Sequence, residues 1–140
     1  MDKKIQELIA DMFETLHTNN NGIGLAAPQV GLSLRLFVIE LEGDSYALIN
    51  PKITAKSRKK IIAEEGCLSF PGQFLPVSRY SDVQMRYTDQ FGQPGKIKAQ
   101  GLLARALQHE IDHLDGILFI DRVKKIAKKT TVLKPSEKKI

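Results

Sequence analysis

An α+β fold is predicted by three hydropathy patterns that follow one another along a chain of 140 residues. An amphipathic helix comes first, several alternating strand-like runs separated by turn residues follow, and a second amphipathic helix closes the series. The length fits one domain, which can bury roughly two-thirds of its unfolded surface around a single core. Residues 1–120 are assigned to that domain and residues 121–140 to a basic tail.

The first helix rests on Ile5, Leu8, Ile9, Met12, Phe13 and Leu16, which recur at helical spacing before Asn19-Asn20-Asn21-Gly22 stops them. Gly22 to Gly31 reads as a loop of small residues. Leu34–Leu41 is a largely apolar strand, and Glu42-Gly43-Asp44-Ser45 turns it into a second one, Tyr46–Asn50. Lys52 to Lys60 holds five basic residues and no acid, and reads as a solvated hairpin. Val83, Met85 and Tyr87 alternate with polar neighbours, and Asp89-Gln90-Phe91-Gly92 turns that strand toward Lys96–Ala99. Leu102 to Leu114 repeats the helical spacing at 102, 103, 106, 107, 111 and 114 and ends at Gly116.

Charge and composition exclude several classes. One cysteine cannot close an internal disulfide, so a stapled secreted scaffold is ruled out. No apolar run approaches the roughly 20 residues that span a bilayer, and MDKKIQELIADMF lacks a signal-peptide core. A soluble protein of a reducing compartment is expected. The formal charge is +5, but residues 121–140 carry eight Lys/Arg against two acids, a net of +6 on a nearly neutral domain. Such a tail attracts polyanions, although it lacks aromatic residues for base stacking.

The second helix carries the chemistry. His109-Glu110-Ile111-Asp112-His113 is an HExxH sequence. Residues i and i+4 project from one helical face, so both imidazoles can reach one metal ion. Glu110, about 100° around the helix, can reach a water on that metal without ligating it. Two histidines leave the site one ligand short. Phe119 stands where a metzincin has its third histidine, and Phe cannot ligate. Glu137 lies in the Lys-rich tail. Cys67 is the other candidate, either as a thiolate or as a small buried apolar residue. His17, alone near the end of the first helix, is expected to be structural.

Gly22-Ile23-Gly24-Leu25-Ala26-Ala27 imitates a dinucleotide fingerprint, with Glu40 downstream. A helix rather than a strand precedes it, and Pro28 and Gly31 follow, so the βαβ context is missing. The segment reads better as a flat edge along which an extended peptide can lie, with the Gln29 amide at its end.

Together, Gly22–Gln29 (GIGLAAPQ), Glu65–Ser69 (EGCLS) and Gln108–Gly116 (QHEIDHLDG) resemble the three signature motifs of peptide deformylases, in that family's order. The resemblance runs from residue 3 to about 124. It implies an α+β fold with the HExxH helix packed against antiparallel sheets, and removal of the formyl group from the N-terminal formylmethionine of nascent polypeptides. It makes Cys67, His109 and His113 the metal ligands and Glu110 the general acid/base. The Gln29 side chain and the Leu68 backbone N–H would hold the oxyanion. Fe(II) is the metal expected in the cell, with zinc, nickel or cobalt able to take its place.

In the implied mechanism, metal binding lowers the pKa of water toward about 7. Glu110 takes the water proton, hydroxide attacks the formyl carbon, and Glu110 returns the proton to the leaving amine. Substrate would lie along Ile23, Gly24 and Gly66, with Leu102 and Ala106 lining a methionine pocket and Arg105 near its mouth. The expected setting is a monomer in the bacterial cytoplasm or an organelle, with ribosome contact through the tail, no membrane, and no sequence-specific nucleic acid. Two rivals predict otherwise: an HExxH metallopeptidase needs a further downstream ligand, and an RNA-binding factor would depend on the tail. Family members usually carry a proline-containing segment that packs on the domain before the first helix, whereas this sequence begins almost at it, so lower stability or less than full activity is expected.

Overall fold

The computed structural model describes residues 2–18, 22–67 and 69–123. Helix α1 (Lys3–His17) is capped by the Asp2 carboxylate, which accepts the Lys4 N–H at 2.9 Å. Seven strands follow: β1 (Gly24–Ala26), β2 (Leu36–Leu41), β3 (Asp44–Lys56), β4 (Lys60–Cys67), β5 (Phe70–Tyr80), β6 (Asp82–Thr88) and β7 (Pro94–Gln100). Helix α2 (Gly101–Leu114) comes next, and short 3-10 turns occupy Ala27–Val30 and Phe119–Arg122. The α+β class is as the sequence predicts.

The strands form an antiparallel five-stranded sheet in the order β1-β2-β3-β6-β7, and a separate hairpin of β4 with β5. Between β2 and β3 the link is two residues, Glu42 and Gly43, both at positive φ. That conformation matches the twist of paired strands.

Strand β2 explains how the layers stack. Phe37, Ile39 and Leu41 join the core beneath α2, while Leu36 and Val38 join a second core beneath α1. A strand covered on both faces reads as a continuous apolar run, as LFVIEL does. Helix α1 covers one sheet face over β1, β2 and the first half of β3. Helix α2 lies on the opposite face with the β4–β5 hairpin beyond it, so ten of its residues, Ala104 to His113, are buried.

Three readings need correction. The basic run Lys52–Lys60 is not a hairpin: β3 pairs with β6 while β4 pairs with β5, so the chain crosses from one sheet to the other there. The Lys56 and Lys60 ammonium groups meet again over the Tyr80 ring, at 4.7 and 4.6 Å. The loop Gly22–Gly31 contains the edge strand β1, held to β2 in the register Gly24↔Ile39 to Ala26↔Phe37. The boundary at residue 120 falls inside the last 3-10 turn, where Arg122 pairs with Asp112 at 3.0 Å and Val123 bridges to Val77. The tail beyond 123, including Glu137, lies outside the described residues.

Candidate metal centre

Three electron-pair donors from two elements converge between the hairpin and α2. Cys67 ends β4, and His109 and His113 stand one turn apart on α2. Their donor atoms all lie within 4.8 Å of one another. Cys67 Sγ is 3.4 Å from His113 Nε2, which is 3.2 Å from His109 Nε2. All three side chains are buried.

The donor chemistry fits a divalent cation. Burial pushes the Cys67 thiol up to about 11, against a Ser69 hydrogen bond, so a cation is needed to hold it as thiolate. Burial, helped by His109, brings His113 down to about 4, leaving a neutral imidazole with a lone pair to give. Two nitrogens and one sulfur make a three-ligand set of the kind that leaves a position open for water or substrate.

Two features brace this set. His109 directs Nδ1 at Glu65 Oε1, 2.9 Å away, which turns Nε2 toward the other donors. Phe119, the residue in the metzincin histidine position, is buried with its ring 5.9 Å from that of His109. It serves as a wall.

Glu65 is the centre of a buried ionic cluster. Arg79 grips it with two bonds of 2.9 and 3.0 Å, and Arg105 reaches it at 2.5 Å. Burial pushes its carboxyl upward, but the hydrogen bonds from His109 and Arg79 outweigh that and hold it at about 2. Arg79 continues to Asp112 at 2.5 Å. Arg105 also donates to the carbonyls of Ile61 and Val77 at 2.6 and 3.0 Å. It is therefore not at a pocket mouth, because its guanidinium is consumed inside the protein. Gln108, beside His109, pins β5 to α2 by accepting the Tyr80 N–H and donating to the Tyr80 carbonyl, both at 2.8 Å.

Glu110 is the exception in this well-paired interior. It is fully buried, and neither carboxylate oxygen has a hydrogen-bond partner among the described residues. Burial raises its pKa well above the ordinary carboxylate range, and nearby Glu65 adds to the effect against Arg79. Gly24 of β1 lies against it so closely that a Cβ there would sit 2.6 Å from Oε2. A buried carboxylate of raised proton affinity, beside three donors that could hold a metal ion, has the chemistry to take up and return a proton.

Gln29, on the 3-10 turn after β1, uses its Oε1 to accept the Ala26 N–H at 2.8 Å. Its Nε2 therefore points across the site, donating to Ser69 Oγ at 3.1 Å and lying 3.8 Å from Cys67 Sγ. Leu68 lies outside the described residues. Ile23 and Ala106 are fully buried in the core under α2, and Leu102 is partly buried beside them. Gly66 is buried with the Phe74 ring 2.8 Å from where its Cβ would be.

A family model described as polypeptide deformylase matches residues 1–129. The chain belongs to the polypeptide deformylase family. Among curated relatives, a peptide deformylase of a Synechococcus species is 48% identical over 128 residues, covering 88% of this chain and 63% of that protein. One from Microchaete diplosiphon is 47% identical over the same length, with 88% and 68% covered. The chain thus spans about two-thirds of the length of these deformylases. Among solved structures, the Synechococcus elongatus deformylase in complex with actinonin is similar at TM-score 0.85 and 47% identity, covering 89% of this chain and 68% of that one. The Thermotoga maritima deformylase gives 0.86 and 40%, with 89% and 84% covered. The deformylase fold is therefore shared, and so is membership expected from the three motifs. Among the described residues, no helix is long and apolar enough to cross a membrane.

Proposed function

We propose that this chain is a metal-dependent peptide deformylase that hydrolyses the N-terminal formamide of formylmethionyl peptides. The observation that carries the reading is the buried, unpartnered Glu110 carboxylate beside Cys67, His109 and His113. These three side chains would hold one divalent ion, Fe(II) in the cell, with zinc, nickel or cobalt as substitutes. When bound, the ion supplies Lewis acidity toward water and the formyl oxygen.

The chain's own groups do the rest. Glu110 accepts a proton from the attacking water, and its raised proton affinity lets it hold that proton until the amine leaves. Gln29 Nε2 donates to the developing oxyanion, with the Leu68 backbone N–H as second donor by the motif. By the motifs, an extended peptide would lie along β1 beside Ile23 and Gly24, with Gly66 opposite. Leu102, partly buried at the start of α2, supplies apolar surface for the methionine, with the enclosed Ala106 packed behind it. The natural substrates are nascent formylated chains in a bacterial cytoplasm or organelle, and the enzyme acts as a monomer. The residues beyond 123 add cationic charge for ribosome contact. The peptidase reading is not favoured, because among the described residues Cys67, and no downstream His or Glu, stands with the two histidines.

The decisive assay offers formyl-Met-Ala beside unformylated Met-Ala. Formate release from the first with the peptide bond intact is expected; cleavage of the second would refute the reading.

Gly24 provides a geometric check. A methyl at this position would lie 2.6 Å from Glu110 Oε2 and 2.9 Å from Cδ. Gly24→Ala should displace the carboxylate and slow formate release about 100-fold. Bound metal, counted by elemental analysis, should stay unchanged.

A further inference from the structure

The two faces of the five-stranded sheet are not equally covered. Helix α1 packs on the outer face against Leu36, Val38, Ala47 and Ile49. At Asn50, with φ of 49°, β3 bulges, and the register to β6 jumps from Ile49↔Thr88 to Lys52↔Arg86. The bulge shifts the alternation by one residue, so beyond it Ile53 turns to the core and Lys52 to solvent. No described element covers this second half of the face.

Cations fill it. Lys52 is opposite Arg86, and Arg86 is opposite Lys96, so three positive side chains stand in one row across three strands. Lys98, two residues on, lies in the neighbouring row beside Gln84. All four are exposed. The row lines a shallow depression of about 520 Å³. Directly opposed like charges destabilise a sheet. None of the four pairs with a carboxylate among the described residues. The acids that begin and follow β6 are engaged elsewhere: Asp82 accepts from Ser81, and Asp89 caps the β6–β7 turn through the N–H groups of Phe91 and Gln93.

We propose that this uncovered half-face, centred on Lys52, Arg86 and Lys96, docks the phosphate backbone of single-stranded RNA. A row of exposed cations beside Asn50, Tyr87 and Thr88 suits a chain that carries one charge per nucleotide. A protein partner would need an apolar centre. The exposed large apolar residues lie elsewhere, at positions 30–34, 91 and 118–123. The choice of RNA rests on the function proposed above, since nascent chains emerge from an RNA-rich machine.

The test uses the full chain loaded with metal. Anisotropy of a labelled oligouridylate of about 20 nucleotides is read between about 50 and 200 mM salt. The triple variant Lys52→Gln, Arg86→Gln, Lys96→Gln should bind about tenfold or more weakly and lower the salt slope by about two. A charge-matched control, Lys124→Gln, Lys125→Gln, Lys128→Gln, should lose clearly less. An unchanged affinity in the first variant, or equal loss in both, overturns the proposal. So does tighter binding of single-stranded DNA, or displacement of the RNA by polyglutamate at equal charge. Formate release from free formyl-Met-Ala is measured in parallel and should be the same in the variant and the parent. Absence of formate release in both would count against the deformylase reading and leave the binding result standing.

Discussion

Glu110→Gln is expected to lower formate release from formyl-Met-Ala by about 10²–10⁴-fold, the usual range for a positioned general acid–base. The substitution keeps the shape of the side chain and removes its ability to cycle a proton. The fold should hardly notice. Burial already opposes the negative charge of Glu110, and no described residue pairs with its oxygens, so removing that charge should cost the fold little. The Cys67–His109–His113 cluster is untouched, and the metal content should match that of the parent. Turnover within a few-fold of the parent, measured on metal-replete protein, would remove Glu110 from the mechanism.

Glu65→Ala carries the largest expected effect on stability, a loss of about 3–5 kcal/mol. Its carboxylate is the shared partner of Arg79, Arg105 and His109, at 2.9, 2.5 and 2.9 Å. Without it two buried guanidinium groups face each other with only Asp112 and backbone carbonyls to balance them. The His109 ring also loses the acceptor that orients it, so metal affinity should fall about 10–100-fold. A shifted denaturation midpoint at constant slope, with a metal titration on the same sample, measures both. Loss of less than about 1 kcal/mol would mean that the cluster contributes little to the fold.

How much of this was legible beforehand depends on how far apart the partners lie in sequence. Local signals were readable: helical spacing from Ile5 to Leu16 and Leu102 to Leu114, alternation at Val83–Tyr87, and the i, i+4 histidines. The β4–β5 hairpin escaped, because Glu64, Glu65, Pro71, Gly72 and Pro76 read as punctuation and its inward face is partly ionic. One signal could have exposed it. Ala63, Glu65 and Cys67 alternate inward on β4, so a buried acid had to have a cation facing it. Which cations answer it was out of reach, since Arg79 and Arg105 lie 14 and 40 residues away. The orphaned Glu110 carboxylate is likewise a property of packing, set by the backbone of Gly24 arriving from the opposite end of the chain.

The enclosure of α2 between an apolar sheet and an ionic hairpin makes it a party wall between rooms with different rules. Toward the five-stranded sheet, at Ala104, Leu107 and Ile111, an exchange is judged by volume, because interior packing leaves little slack. Toward the hairpin, at Arg105 and Asp112, it is judged by valence, because each charge is balanced by a named neighbour. The motif that holds the histidines is thus written in two alphabets at once, and a sequence drifting in one of them remains constrained by the other.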